Sequence, residues 1–365
     1  MDRTEKNIKK MLGEIIAPEF KELAVKMKEP DSKIMPYVLE KLMTLEQAKI
    51  LNSLPNTVEN IAQELKLSQD AVNKQFREMF EKGLLYPGRS GWHLTRSWAA
   101  LHDSAPSSHA KYDNVDFLDL AFAKADESVA KQIDEVATGQ AKTIRQGMRV
   151  IPRWRSIEGV AGVLPHENIK EIFKNAGPFV LLPCACKKID RNRECRETIP
   201  LESCITIGRS GQYNLDRGTG RKLSYDETMS LLEEFDQYQL VHLVGNYNGM
   251  PALVCNCHNC CCGSFYRNKF ARNIINLFSI AKSRFLAIAD TEKCTACKTC
   301  VARCPVDAVK MKRPAGDKPE KSFTTDEECI GCGLCVLTCP SGARKMKVIR
   351  PPEYIPNRDS STTDP

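Results

Sequence analysis

The chain has 365 residues, 42% of them hydrophobic, enough for two or three cored domains and too many for wholesale disorder. Its 53 Lys plus Arg against 46 Asp plus Glu leave a net charge of +7, which is mild for this length and is not the footprint of an obligate nucleic-acid binder. All 17 cysteines fall between Cys184 and Cys339, and no apolar export segment follows Met1-Asp2-Arg3-Thr4-Glu5-Lys6, so the expected setting is a reducing cytoplasm, where dense cysteine points to metal.

Residues 1–36 read as a polar helical segment with Ile8, Leu12, Ile15 and Ile16 on one stripe, suited to packing or dimer formation. In residues 37–105 a short helix from Leu45 to Leu54 is ended by Pro55. Thr57 caps a second helix with Ile61 and Leu65 inward, and Ser68 caps a third with Val72, Phe76 and Phe80 on one face. Gly83 ends the third, after which Leu84-Leu85-Tyr86, the turn Gly88-Arg89-Ser90-Gly91 and Trp92-His93-Leu94 predict a hairpin. This order resembles a winged helix-turn-helix domain. The helix that would read DNA, Gln69 to Lys82, sets Lys74, Arg77 and Lys82 against Asp70, Glu78 and Glu81, so it carries no net charge to attract phosphate. A protein-docking role is favoured over DNA binding, with Arg89 and Arg96 near the wing keeping the second open.

Residues 106–285 alternate apolar strands with amphipathic helices and predict an α/β middle domain. Arg149 to Pro152 is a short strand, His166 to Asn175 a helix, and Pro178 to Leu182 a buried strand running into Cys184-Ala185-Cys186. Ser224 with Glu227 forms a capping box, and Pro251 to Val254 is a strand running into Cys255-Asn256-Cys257. Two strands that end in cysteines place a metal site at one edge of the sheet. No apolar run, Phe179 to Leu182 included, approaches the roughly 20 residues of a membrane helix. Residues 286–350 form a third domain with an internal repeat, and the Pro-, Ser-, Thr- and Asp-rich residues 351–365 read as a disordered tail.

In the repeat, Cys294-x2-Cys297-x2-Cys300-x3-Cys304-Pro305 recurs as Cys329-x2-Cys332-x2-Cys335-x3-Cys339-Pro340. Three thiolates at this spacing wrap three corners of a cubane, and a zinc ribbon would need two Cys-x2-Cys pairs per metal and no Cys-Pro end. The repeat resembles the bacterial two-cluster ferredoxins. That resemblance implies two 4Fe-4S clusters, one on Cys294, Cys297, Cys300 and Cys339, the other on Cys329, Cys332, Cys335 and Cys304. It also implies a fourth cysteine that opens a short helix and reaches the neighbouring cluster. Lys310, Lys312, Arg313 and Lys318, between the motifs, are either a docking face for an acidic redox partner or a solvated loop.

The middle domain holds nine further cysteines, too many and too close for core packing in a reducing compartment. Cys184, Cys186, Cys195 and Cys204 form one group and are the favoured ligands of an additional 4Fe-4S cluster. Cys255, Cys257, Cys260, Cys261 and Cys262 form another, which binds a second cluster or contributes ligands to a joint site. The adjacent Cys260-Cys261-Cys262 cannot all face one metal, and His258 reads as a turn residue before a ligand. Lys187, Lys188, Arg191, Arg193 and Arg196 either stabilise thiolate charge or are solvated. Gly218-Thr219-Gly220-Arg221 lacks the third glycine and preceding strand of a phosphate loop, and no catalytic triad or paired-carboxylate constellation stands out.

The whole chain is similar to proteins of anaerobes that join an N-terminal winged helix, a Cys-rich middle domain and a C-terminal two-cluster ferredoxin module, giving a multidomain α+β fold. The resemblance rests on Pro183-Cys184-Ala185-Cys186-Lys187, on Val254-Cys255-Asn256-Cys257 through Cys262 and on the two repeat motifs. It implies an electron-transfer protein or an oxidoreductase subunit rather than a stand-alone enzyme, with a redox partner such as an oxidoreductase, a ferredoxin or a flavoprotein. A redox-sensing winged-helix regulator and the iron-sulfur subunit of a larger reductase are the alternatives.

Overall fold

The computed structural model describes residues 3–88, 91–95, 97–174, 176–190, 198–313 and 319–358. The first 36 residues make two helices where the sequence suggested one stripe. These are α1 (Arg3–Met11) and α2 (Pro18–Lys26), the latter opened by Pro18, whose missing N–H costs nothing in a first turn. Ile15 lies between them and is 99% exposed, while Ile16 is buried.

Next come α3 (Met35–Leu42), α4 (Leu45–Asn52), α5 (Val58–Leu65) and α6 (Gln69–Glu81). The Thr44, Thr57 and Ser68 hydroxyls accept from the amides of Gln47, Asn60 and Ala71 at 3.1 to 3.2 Å, each satisfying an otherwise orphaned donor. Gly83, at φ +82°, ends the run and turns the chain into the antiparallel hairpin β1 (Leu85–Gly88) and β2 (Gly91–Leu94). The Trp92 ring packs on Phe76 and Phe80 at 6.2 and 5.2 Å between centroids. Then α7 (Trp98–Ser104) and the long α8 (Val115–Ala137) close one core running from Met11 to Ala121. Boundaries expected at residues 36 and 105 cut across this core, because helices that look separable along the chain bury their apolar stripes against one another.

The middle region is built on a seven-stranded sheet, order β6-β4-β5-β8-β7-β3-β9. Its elements in chain order are β3 (Met148–Ile151), α9 (Ile169–Lys174), β4 (Phe179–Pro183), α10 (Ala185–Ile189), β5 (Glu202–Ile207), α11 (Arg209–Asp216), β6 (Arg221–Leu223), α12 (Tyr225–Glu234), β7 (Val241–Gly245), β8 (Leu253–Cys257), α13 (Gly263–Ile275) and β9 (Ile280–Ala281). Every pairing except β3 with β9 is antiparallel, so this is not the parallel, doubly wound sheet that an α/β pattern suggests. The strands read as continuous apolar runs for another reason: both faces are covered. Ile205, Val244 and Val254 face a core with Phe173, Leu232 and Phe235, while Val150, Val241 and Leu243 face the opposite side with Cys257, Ile330 and Leu334. Gly220 passes the chain against β4, where a Cβ would stand 2.7 Å from Leu181 O, whereas a Cβ on Gly218 would meet open space.

The C-terminal module pairs β10 (Phe285–Ala289) with β13 (Arg344–Val348), and β11 (Val309–Lys312) with β12 (Lys321–Thr324), both antiparallel. Its short helices are α14 (Thr299–Ala302) and α15 (Leu334–Leu337). Each carries the third cysteine of its motif and ends before the fourth, the reverse of the expected helix after the fourth, because the Cys-Pro step that follows cannot continue a helix. Among the described residues no helix is long and apolar enough to cross a membrane.

Arg217 ties the N-terminal region to the sheet. Its buried guanidinium donates to Phe80 O at 3.1 Å, Glu81 O at 3.1 Å and Ser104 O at 2.9 Å. Arg217→Ala leaves three carbonyls without this donor and should destabilise the chain by roughly 3 kcal/mol, with Arg217→Lys recovering little because an ammonium cannot fork. Denaturant unfolding followed by far-UV circular dichroism reads the change.

Candidate metal centres

Two recesses in the C-terminal module each have about 300 Å³ of empty space, and each is lined by four thiols from both halves of the repeat. One holds Cys294, Cys297, Cys300 and Cys339, the other Cys304, Cys329, Cys332 and Cys335. Three thiols of each set come from one loop, and the fourth crosses over from the other motif.

The loops share a backbone that the repeat spacing alone does not reveal. Ala296 and Lys298 in the first motif take φ of +58° and +62°, and Gly331 and Gly333, at the same places in the second, take +71° and +80°. The first loop is open enough to hold side chains in this strained region. In the second, a Cβ on Gly331 would lie 2.0 Å from Ser283 Oγ and one on Gly333 2.1 Å from Ser156 Oγ. The second loop is the one pressed against the rest of the molecule.

The thiols record the same asymmetry. Cys297 is exposed, and the Thr299 hydroxyl, 3.4 Å away, holds its thiol below the ordinary range. Burial opposes ionisation of Cys294, but the amides of Ser322 and Ala296 outweigh it and bring that thiol down as well. In the second recess burial dominates, pushing Cys332 well up and Cys335 up to about 12. A metal bound there must displace protons that the site otherwise retains.

Residues 286–349 match the 4Fe-4S dicluster domain. No curated protein matches the chain. Both recesses lie within this dicluster domain, and their thiol sets have the number and type of donors that 4Fe-4S clusters need. The clusters supply one-electron transfer when bound. The chain's own contribution is to seat one set at an exposed rim and the other against the sheet, where Arg153 N donates to Cys332 O at 3.0 Å.

A third group of thiols lies on the sheet face that the dicluster domain covers. Cys255 and Cys257 sit on β8 itself, not beyond its end, and two-residue spacing points both to one face. β5 runs antiparallel beside β8 with Cys204 directly opposite Cys255. Cys184 and Cys186 enter from the corner between β4 and α10, and Cys262 precedes α13, where a Cβ on Gly263 would stand 3.4 Å from Cys186 Sγ. The side-chain hydrogen bonds among these six thiols close a ring in the order Cys184, Cys186, Cys262, Cys257, Cys255, Cys204 and back to Cys184. The bonds pull Cys184 and Cys262 well down and Cys255 down to about 7, and push Cys186, Cys204 and Cys257 well up.

The structure therefore brings together members of both groups that the sequence separated, at the centre of the sheet and not at its edge, because β5 and β8 are its third and fourth strands. Cys195, expected as a ligand with Cys184, Cys186 and Cys204, lies outside the described residues. The three adjacent cysteines part ways. Cys262 joins the ring, Cys261 is buried with its thiol pushed up to about 12 by burial, and Cys260 is disulfide-bonded. His258, Cys260 and Cys261 bring donors within 4.8 Å of one another, yet a disulfide sulfur offers no thiolate.

Lys187 is left open by the sequence as a thiolate partner or part of a solvated loop. It is 2% exposed and reaches Pro200 O and the Ser203 hydroxyl. Lys188 is buried too and pairs with Asp113, whereas Arg191, Arg193 and Arg196 fall outside the described residues. A buried hydrogen-bonded chain lies behind these thiols and belongs to no cysteine motif. Arg153, ion-paired with Asp236, donates to His242 Nε2 at 2.8 Å. His242 Nδ1 meets Asn256 Oδ1 at 2.7 Å, and Asn256 Nδ2 donates to Ser203 O at 2.9 Å. Asn256 between two cysteines on an alternating strand was the available signal, since a polar residue facing an apolar core needs a partner.

The crossed thiol sets have a direct test. Cys339→Ala should leave the same residual EPR spectrum as Cys294→Ala, with loss of about four irons per chain, and Cys304→Ala the same as Cys329→Ala. Uncrossed sets would pair Cys339 with Cys329 instead.

Proposed function

We propose that the protein is an iron-sulfur electron-transfer protein of anaerobic cytoplasmic metabolism, passing low-potential electrons through the dicluster domain to or from a partner oxidoreductase, ferredoxin or flavoprotein. In this role it is a carrier or an oxidoreductase subunit, not a stand-alone enzyme. The observation that carries the reading is the unequal exposure of the two thiol sets. Cys297 opens the first to solvent between the exposed Lys293 and Lys298, and the second packs inward toward the thiol ring. Electrons thus have one entrance, at which a partner can dock, and an interior side.

The entrance is basic. Among the described residues, Lys293 and Lys298 make loose exposed pairs, 3.8 Å to Asp290 and 3.9 Å to Glu320, which leave their charge available to an acidic partner. Lys310, Lys312 and Arg313 are exposed as well, the first two on β11, while Lys318 lies outside the described residues.

The helices α4 to α6 with the hairpin β1–β2 support a winged-helix reading of the N-terminal region, in which the module selects the partner. The wing is already engaged within the chain, since Tyr86 stacks on Tyr213 at 4.3 Å and 13°. One observation favours a redox-regulator reading as the second choice. α10 carries Cys186 on one side, and on the other its Ile189 joins the N-terminal core, so the thiol ring and the winged module share an element.

Replacing Lys293 and Lys298 together by Glu should slow electron exchange with an acidic ferredoxin or flavodoxin about tenfold at low salt, with the difference fading above about 0.5 M salt. Stopped-flow reduction measures it. An unchanged rate at low salt would move the entrance elsewhere. A gel shift with DNA from upstream of the protein's own coding region tests the regulator reading, which requires specific, salt-sensitive binding.

A further inference from the structure

The two halves of the repeat part at one buried position. Val309 follows Cys304 at the same spacing as Arg344 follows Cys339, and each begins a strand, β11 and β13 respectively. Both residues are 2% exposed. A valine suits that dry setting, whereas a guanidinium there costs free energy unless a negative charge compensates it. Among the described residues no carboxylate pairs with Arg344. Its Nη1 donates to Ser322 Oγ at 3.3 Å, and its Nη2 to Ala287 O at 3.4 Å and to the Thr324 hydroxyl, all neutral acceptors. Its buried Nε has no hydrogen-bond partner among the described residues.

The missing anion lies on either side. Arg344 lines the recess of Cys294, Cys297, Cys300 and Cys339, and so does Ser322, whose Oγ is 3.6 Å from Cys294 Sγ and whose amide donates to that sulfur at 3.5 Å. Ala287, whose carbonyl accepts from Nη2, lines the recess of Cys304, Cys329, Cys332 and Cys335. One guanidinium therefore stands between the two thiol sets. A 4Fe-4S cluster held by four thiolates is an anion, and its one-electron reduction adds a further negative charge. We propose that Arg344 is the shared counter-charge of the two clusters, favouring the reduced form of each and raising both potentials. It is a positioning residue and not a ligand: it acts through its field and by holding the Ser322 hydroxyl against Cys294. With it, the dicluster domain accepts electrons from a less reducing donor than it would with valine in both halves. The proposal rests on the electron-transfer reading only for its use, since potentials are measured without a partner.

The full chain, purified without oxygen, is titrated with dithionite and redox mediators under EPR, beside Arg344→Val, Arg344→Gln and Arg344→Lys. The Cys294→Ala and Cys329→Ala backgrounds each leave one set to titrate alone. With valine or glutamine, the reduction equilibrium of each set should shift about tenfold toward the oxidised form, or roughly 59 mV for one electron. Lysine should recover most of that, a distinction that a packing role would not make. The shift should persist at about 0.5 M salt, because a buried charge is little screened. Iron near eight per chain shows that a variant keeps both sets. Cluster loss in both neutral variants, with retention in Arg344→Lys, also supports the counter-charge. Unchanged potentials, a shift confined to one set, an equal shift with lysine, or cluster loss in all three variants overturns it. An unsubstituted protein that is reduced normally yet passes no electrons to a ferredoxin or flavodoxin would instead overturn the electron-transfer reading.

Discussion

β5 and β8 lie side by side, antiparallel, at the centre of the sheet, with Cys204 opposite Cys255, and much of the molecule follows from that register. Because side chains alternate along a strand, Cys257 must share the face of Cys255, and Ile205 and Val254 must turn to the other. One face thus becomes a helix-covered apolar core and the other a thiol-bearing floor. The dicluster domain lies on that floor through Ile330, Cys332 and Leu334. A slip of one residue would send the cysteines into the helical core and the isoleucine and valine under the dicluster domain.

The floor sets an electrostatic problem. Thiolates in a dry interior need compensating charge, and the fold buries Lys187 beside Cys184 and Cys261. Behind them, His242 and Asn256 link Arg153 to the ring strand, so the polar groups between the two cores are bonded in series and not left to strand in apolar surroundings.

Both ends of the chain are anchored to this middle region by buried side chains. Arg217 grips the carbonyls that end α6 and α7, Ile189 enters the N-terminal core, and Arg284 pairs with Glu167 at 2.7 Å with both side chains almost fully buried. Such contacts fix the C-terminal module with one thiol set inward and the other at the surface. The two halves of the repeat have diverged accordingly: alanine and lysine serve at the left-handed positions of the open loop, and glycine at those of the packed one.

Local features were the ones legible in the sequence. Thr44, Thr57, Ser68 and Ser224 cap helices through bonds to residues three places on, and each repeat motif supplies three thiols from one loop, so spacing along the chain already contains most of the geometry. The dicluster domain and its 4Fe-4S cofactors are of this kind. The middle cysteines are not. Cys184 and Cys204 were grouped with Cys195 because they are near in sequence, yet Cys204 meets Cys255 and Cys186 meets Cys262 through strand pairing and helix placement, which no local spacing encodes. The direction of the strands, the burial of Lys187 and the face on which the ring lies were likewise decided by tertiary structure, because each depends on which apolar surfaces find one another once the elements have formed.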